Sequence, residues 1–163
     1  MAVQTSYSEN IRAGVAGMLA DMEPATLISA TVEDSAGFAF GVPVVQGTED
    51  NEATAIGSGD LDVLGITVRE RSVNPDTGDK FNQYDAARLL RKGVMYVTVT
   101  DAGGVVAGDP VWVTLATGAF SNADVGTDGG INLAGSRWVT SAANGEIAKV
   151  RFNLDVPAVA GAS

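Results

Sequence analysis

The stretch from residue 93 to residue 115 constrains the fold more than any other part of the chain. It holds two apolar runs, residues 93–100 and 109–115, joined by a glycine-rich bend. Both runs are dense in β-branched and aromatic residues, which fit a strand, and the Gly, Asp and Pro residues at their ends favour turns. Pro110 cannot donate a hydrogen bond to a ladder, so it belongs at the first position of its strand or on a sheet edge. The stretch therefore predicts two strands around a bend.

Neither face of the first run carries a charge. Val94 and Tyr96 alternate with Met95, Val97 and Val99, so both faces are largely apolar. A strand of this kind is covered on both sides. The centre of the protein is thus expected to be a β core that displays no chemistry of its own, and the residues alone indicate only a soluble acidic β domain.

The residue types present exclude several classes of enzyme. The chain has 163 residues, with no Cys and no His. That length suits one domain, which would bury roughly two thirds of its unfolded surface. Without Cys there is no disulfide framework, no thiol nucleophile and no thiolate metal site. Without His, Ser-His-Asp and Cys-His enzymes are excluded, whereas mechanisms that use carboxylates alone remain open.

The charge balance argues against nucleic acid and membrane partners. The chain has 10 Lys and Arg against 20 Asp and Glu, a net charge of −10. Basic residues cluster only at Arg69/Arg71 and Arg88/Arg91/Lys92, which we interpret as structural or partner-facing rather than phosphate-binding. No apolar run approaches the roughly 20 residues that cross a bilayer. Residues 14–20 are too short and too rich in Gly and Ala for a signal peptide, so we expect no export through a membrane.

The first 25 residues differ from the rest of the chain. Apolar side chains recur there at helical spacing: Ile11, Val15, Met18, Leu19 and Met22. Residues 6–9 have the form of a capping box. Gly14 and Gly17 oppose a helix, each costing about 1 kcal/mol relative to Ala. A short helix and an extended arm that orders against a partner both remain open, with the arm favoured, and Pro24 ends the segment in either case.

Short strands separated by turns are expected over the rest of the chain. Residues 38–46 alternate as one strand, with a bulge or an edge at Gly41 and Pro43, and residues 86–92 favour a strand that bends at Gly93 over a helical turn. The other predicted strands cover residues 27–32, 60–70, 136–140 and 147–153. The prediction is an all-β fold: a single domain resembling a β-sandwich or jelly roll, or a distorted barrel, with an N-terminal arm. The arm covers residues 1–25, the β core residues 26–155 and a flexible tail residues 156–163.

Several acidic clusters are more simply explained by turns than by chemistry. Glu49, Asp50 and Glu52 lack the alternating oxygen ligands of a calcium loop, so a solvated loop is favoured over a metal site. Asp76 and Asp79 belong to a turn-rich hairpin tip. Residues 124–130 lack both an acidic series and a closing Glu, and no helix follows their glycines, which excludes a dinucleotide fingerprint. We expect neither a metal nor a cofactor.

Asp60 and Asp62 are the acidic residues that come nearest to a catalytic arrangement. On a strand they would lie on the same face. A glycosidase needs two carboxylates about 5–10 Å apart in a cleft, with one acting as a general acid. A turn that leads into the strand is the favoured interpretation, and the catalytic pair is the alternative.

The order of motifs along the chain resembles a known family. The motifs are residues 13–24, FGVPVVQGT at 40–48, LGITVR at 64–69, Tyr84-Asp85 with LRKGVMYV at 90–97, GDPVWV at 108–113, and Arg137-Trp138 with Gly145, Ala148, Lys149 and Val150. Together they resemble the tailed-bacteriophage head cement proteins, also called capsid decoration proteins. Each motif is generic by itself, and the ordered series over nearly the whole chain carries the resemblance. The departures are the acidic residues 49–52, the loop 122–130 and the small-residue tail.

The resemblance implies a protein without an enzymatic reaction. Such a protein binds the outer surface of the assembled capsid at joints between major capsid subunits, as a dimer or trimer, and stabilises the head. It would be made in the host cytoplasm and reside on the outside of the virion. The arm side chains would lie across neighbouring capsid subunits or pack against their own domain: Tyr7, Ile11, Met18, Leu19 and Met22. The alternatives are a virion-associated glycan hydrolase that uses Asp60 and Asp62, and a carbohydrate-binding β-sandwich module, which requires exposed aromatic side chains on one face.

Overall fold

The computed structural model describes residues 14–57, 59–60, 62–70, 78–124 and 129–161. Its strands are β1 Thr26–Val32, β2 Phe38–Ala39, β3 Pro43–Gln46, β4 Glu52–Ala55, β5 Gly65–Thr67, β6 Lys80–Phe81, β7 Ala86–Thr98, β8 Pro110–Thr114, β9 Ala119–Ser121, β10 Gly130–Trp138, β11 Ile147–Asn153 and β12 Val159–Ala160. Those ranges contain no helix, and hence none that could span a membrane. The predicted all-β class is confirmed.

The fold is built around β7, a strand of 13 residues. Its first half pairs with β1 on one edge and with β5 on the other, and its second half pairs with β11 along residues 92–98. Within it, Gly93 has φ of 139°, and an added Cβ there would lie 3.2 Å from the Cβ of Ala25. A register shift against β1 lies next to this glycine, between Lys92 and Leu90, while the predicted bend itself stays a prediction. The predicted cover on both faces is confirmed, because the side chains from Val94 to Val97 are all buried.

The first half of β7 belongs to a ring of strands. The order is β1, β4, β3, β5 and β7, and the pairing of β7 with β1 returns to the start. The ring is irregular, since β1 and β4 run parallel and share only the pairs Thr31–Glu52 and Val32–Ala53. The separate β2–β6 pair adds Phe38 and Phe81 to its core, where the Phe81 ring meets Phe40 edge to face at 5.2 Å.

The second half of β7 belongs to a larger group of strands. From β7 the order runs through β11, β10, β8 and β9, and a single parallel bridge joins Val99 to Phe120. The core of this group includes Trp138 and Phe152, which are 1% and 0% exposed. The Trp138 indole N–H donates to the carbonyl oxygen of Ser121 at 3.2 Å, so the buried ring has its polar atom satisfied.

Strands β3 and β7 have a hydrophobic core on each face. The small core includes Val32, Phe81 and Leu89, and the large core includes Leu90, Trp138 and Phe152. On β3 the side chain of Val44 enters the small core and that of Val45 the large one, and Leu89 and Leu90 of β7 divide in the same way. Period-two alternation explains this division, because successive residues of a strand point to opposite faces. The result is a large mixed sheet that does not close into a regular barrel, which fits the distorted barrel among the predicted all-β architectures.

Three predicted strands differ from the observed ones. Residues 38–46 are two short strands in different sheets, because the chain turns at Gly41 with φ of 73°. The strand expected over 60–70 is limited to Gly65–Thr67, and the strand expected from residue 136 begins at Gly130. Strand β8 begins at Pro110, as predicted. Within the expected C-terminal tail, Val159–Ala160 pairs with β10, and the flexibility of that tail stays a prediction.

Candidate partner-binding surface

The residues that precede β1 lie along β7 and form backbone hydrogen bonds with it. The Gly17 N–H donates to the carbonyl oxygen of Tyr96 at 2.8 Å, and the Tyr96 N–H donates to the carbonyl oxygen of Met18 at 2.9 Å. The Ala20 N–H donates to the carbonyl oxygen of Val94 at 2.9 Å. We call residues 14–25 the docked segment. It contains no helix, so the described part of the predicted arm runs as irregular and extended chain.

Two glycines allow the docked segment to approach the sheet closely. A Cβ at Gly14 would lie 2.5 Å from the Tyr96 ring, and one at Gly17 would lie 2.7 Å from the Cβ of Phe40. Gly17 also has φ of 81°, in the left-handed region that favours glycine. The residues that argued against a helix in the sequence are therefore the ones that permit docking.

Two ion pairs join the docked segment to β11. Lys149 Nζ lies 2.9 Å from Asp21 Oδ1, and Arg151 Nη2 lies 2.5 Å from Glu23 Oε1. The hydrogen bond that the Lys149 ammonium donates to Asp21, reinforced by the charge of that carboxylate, raises the pKa of Lys149 above its ordinary value. The Lys149 ammonium also lies 5.7 Å from the centre of the Tyr96 ring, a cation–π contact.

Sequence reasoning did not identify these ion pairs. Lys149 and Arg151 are 128 residues away from their partners. The available signal was a matched spacing. Asp21 and Glu23 are two residues apart, as are the two cations on one face of the strand predicted over 147–153. The sequence does not show that the two segments are neighbours, because each is positioned by its own pairing with β7.

The described residues of the predicted arm differ in whether their side chains face the core or solvent. Leu19 packs against the large core and forms an antiparallel bridge with Met95. Met18 is 41% exposed and Met22 is fully exposed. Tyr7 and Ile11 lie outside the described residues. The two expectations of the sequence thus divide between neighbouring side chains, with Leu19 packed against its own domain and both methionines directed outward.

Asp60 and Asp62 occupy different surroundings. The Asp60 carboxylate accepts a hydrogen bond from the Gly57 N–H at 2.8 Å, which agrees with the favoured turn interpretation. Asp62 borders a shallow cleft of about 410 Å³ together with Arg91 and Asp155. In that cleft the Arg91 guanidinium lies 3.7 Å from the Asp155 carboxylate.

The other acidic clusters take part in local bonding. The Glu49 N–H donates to the Glu52 carboxylate at 3.2 Å within the β3–β4 turn. Asp79 pairs with Arg69 at 2.6 Å, and Asp76 lies outside the described residues. In the part of the chain that the structure describes, no three metal-ligating side chains come together to hold an ion.

Two of the described residues in the second basic cluster also form ion pairs. Arg88 pairs with Glu70 at 2.9 Å, and Arg91 with Asp155 at 3.7 Å. Lys92 is exposed beside them on β7, and Arg71 lies outside the described residues. The contacts of Arg88 and Arg91 agree with the structural interpretation of this cluster.

Comparisons with known proteins point in one direction. A family model described as "Structural cement protein (E217 gp24/Pam3 gp6)" matches residues 3–153. A chain of the solved structure "The capsid of Myoviridae Phage XM1" superposes with a TM-score of 0.70 and 21% sequence identity, covering 94% of this chain and 98% of the other. At that identity the superposition shows a shared fold. A comparison with curated proteins found no match.

Proposed function

This chain belongs to the structural cement protein family of phages and has a structural role in the capsid, and on that premise we propose how it acts. It binds the outer surface of the assembled head at joints between major capsid subunits and stabilises the shell without catalysing a reaction. It does so as a dimer or trimer. Neither nucleic acid nor membrane is a partner in this proposal.

The docked segment carries the proposal. Its methionines are exposed on a segment that Leu19, three backbone hydrogen bonds and two ion pairs hold against β7 and β11. Exposed Met side chains are adaptable apolar contacts, and burying one stabilises a complex by about 1.5–3 kcal/mol. Because the segment is already ordered, little of that gain is lost in ordering the chain on binding.

The proposal also assigns a capsid contact to the residues before the docked segment. Tyr7 and Ile11 lie among the 13 residues that precede Gly14, and a chain of that length spans at most about 45 Å when extended. We propose that this part of the arm crosses onto a neighbouring capsid subunit. A contact that bridges two subunits forms only on an assembled lattice, which gives the protein a preference for shells over free subunits.

Repetition over the lattice explains how modest contacts stabilise a head. Each additional contact within an oligomer or across neighbouring subunits is made at high effective concentration. The strength of the whole shell therefore exceeds that of any single contact. We infer that the free energy of one copy's contact need not be large for the shell to resist rupture.

The test uses expanded shells of the phage's major capsid protein that were assembled without this chain. We expect saturable, stoichiometric co-sedimentation with the shells and none with unassembled subunits, with a rise in the temperature at which the shells rupture. The double variant Met18→Ser/Met22→Ser should weaken shell binding at least tenfold. Val106→Ser is the matched control, because Val106 is 60% exposed on a loop outside the docked segment. A wild-type chain that stays free in the presence of intact shells overturns the proposal.

A further inference from the structure

Tyr84 has two properties that rarely occur together. Its φ is 67°, and it is the one non-glycine residue in the described ranges with a positive φ. Its side chain is 74% exposed, which makes it the one exposed aromatic residue in the same ranges. A bulky residue in the left-handed region is an outlier that calls for an explanation.

Three hydrogen bonds hold the turn around Tyr84. The Asp85 N–H donates to the Asn82 carbonyl oxygen at 3.1 Å, and the Asn82 N–H donates to the Asp85 carboxylate at 2.7 Å. The Tyr84 N–H donates to the Val32 carbonyl oxygen at 2.8 Å, which ties the turn to the end of β1. Tyr84 occupies the third position of this turn, where a positive φ calls for Gly or Asn.

The fold does not require a tyrosine at this position. With three quarters of its side chain in solvent, the ring contributes little apolar burial. Its backbone carries strain that a glycine would not have. The local structure would thus be served better by glycine, and a contact outside the described domain would account for the ring.

The surroundings of Tyr84 are acidic. The Gln83 side chain donates to the Glu33 carbonyl oxygen at 2.9 Å, which places Glu33 and Asp34 next to the turn. The Glu33 carboxylate accepts hydrogen bonds from Thr48, that of Asp34 from Thr54 and the Ala55 N–H, and that of Asp85 from the Asn82 N–H. These bonds do not neutralise the three charges, and none of the ion pairs among the described residues involves them. Lys80 at the nearby β2–β6 pair donates to the carbonyl oxygen of Ala36. A partner that fits this surface carries positive charge.

We propose that Tyr84 anchors a second capsid contact, in which an Arg or Lys side chain of the major capsid protein lies over the tyrosine ring. This inference rests on the proposed function. Cations bind the faces of aromatic rings, and the neighbouring carboxylates complement the same charge. Tyrosine is also among the residues that contribute most to interfaces when an interface buries it. The contact lies at the opposite end of β1 from the docked segment.

The test compares three substitutions at one position. Tyr84→Phe keeps the ring, Tyr84→Ala removes the ring and keeps the backbone strain, and Tyr84→Gly removes both. We expect Tyr84→Phe to bind the expanded shells within about threefold of wild type, and both other variants to bind at least tenfold more weakly. Tyr84→Gly should melt about 2–4 °C above Tyr84→Ala, since glycine adopts a positive φ without strain.

The outcomes separate this contact from the proposed function. If the wild type binds the shells and Tyr84→Gly binds them equally well, the Tyr84 contact is wrong and the proposed function stands. If the wild type does not bind, both the contact and the proposed function are wrong. Raising the salt from about 0.1 to 1 M shortens the screening length from about 10 Å to 3 Å. Wild-type affinity should fall over that range and the advantage over Tyr84→Ala should shrink. An advantage that does not change with salt contradicts a cationic partner.

Discussion

Two consecutive segments of this chain, the docked segment and β1, run antiparallel to the same strand and have different surfaces. Strand β1 pairs with residues 86–92 and adds Ala30 and Val32 to the small core. The docked segment pairs with residues 94–96 and buries mainly Leu19, while Met18 and Met22 remain exposed. The same backbone pairing therefore supports a strand with buried side chains in one case and a segment with two exposed methionines in the other.

The difference lies in what holds each segment. Backbone pairing with β7 and β4, together with the burial of Ala30 and Val32 in the small core, holds β1. Backbone hydrogen bonds, two glycines at close contact and ion pairs to β11 hold the docked segment. A segment held in this way can be loosened without unfolding the domain. Substitutions should thus affect global stability through β1 and its contacts, and local order through the docked segment.

The largest effect is expected for Leu89, which pairs with Ile28 of β1 and is 0% exposed. Leu89→Ala should lower the free energy of unfolding by about 2–5 kcal/mol, because it leaves a cavity in the small core. Leu19→Ala should cost only about 1–2 kcal/mol, since that side chain is partly exposed. Urea unfolding measures both, and equal losses would contradict the distinction between the two segments.

The next effect after that of Leu89→Ala is expected for Gly17, which has a left-handed φ of 81° and where an added methyl would lie 2.7 Å from the Cβ of Phe40. Gly17→Ala should cost about 2–4 kcal/mol locally and release the docked segment. Hydrogen exchange of the Gly17 position and Ala20 amides should accelerate well before the β11 amides do. Gly145→Ala is the matched control, because Gly145 also has φ of 81° but an added Cβ there meets no atom within 4 Å. The same acceleration at Ala20 in both variants would rule out close contact as the cause.

A further decrease is expected when the Arg151–Glu23 pair is broken. Arg151→Glu removes an exposed pair that contributes about 0.2–1 kcal/mol, so it should speed exchange in residues 20–25 by a few-fold at low salt. The reciprocal variant Arg151→Glu/Glu23→Arg should restore the wild-type rate. Arg88→Glu, which breaks the pair with Glu70 on the first half of β7, should leave those amides unchanged. Failure of the reciprocal variant to recover would count against the ion pair.

The smallest effect concerns the pH dependence of the other pair. The pKa of Lys149 is raised by Asp21, so the pair contributes fully below the ordinary lysine pKa and is lost as pH rises through the raised value. Order in the docked segment should consequently be independent of this group near neutral pH. NMR titration of the Lys149 side chain measures the shift, and Asp21→Asn should return the pKa toward its ordinary value. An unchanged titration in Asp21→Asn would reject Asp21 as the cause.

Local residue patterns predicted those elements whose ends are determined locally. Pro110 begins β8 because it can take the first ladder position without donating, and residues 147–153 form β11 with the predicted bounds. The glycine inside an apolar run at Gly93 indicated an irregularity, and Gly93 has φ of 139° beside a register shift. The family resemblance, which rested on the order of several weak motifs, is confirmed by the match over residues 3–153.

The features that the sequence did not predict depend on contacts between segments that are distant along the chain. Residues 38–46 alternate as one strand, but Gly41 turns where it meets Gly17, and an added Cβ there would lie 2.6 Å from the Gly17 nitrogen. The direction of Leu19 and Met18 depends on their register against β7 rather than on their own spacing. Helical periodicity in that segment was therefore misleading, since its apolar residues divide between a core and solvent.

The proposed function requires that the docked segment bind the capsid in the conformation it already has. Hydrogen exchange of the wild-type chain, free and bound to expanded shells, tests this most directly. We expect the amides of residues 21–25 to slow on shells while the Gly17 and Ala20 amides keep the protection they have in the free chain. Faster exchange at Gly17 and Ala20 on binding would mean that the segment leaves β7 to reach the capsid. Unchanged exchange throughout residues 14–25 would place the capsid contact elsewhere on the protein.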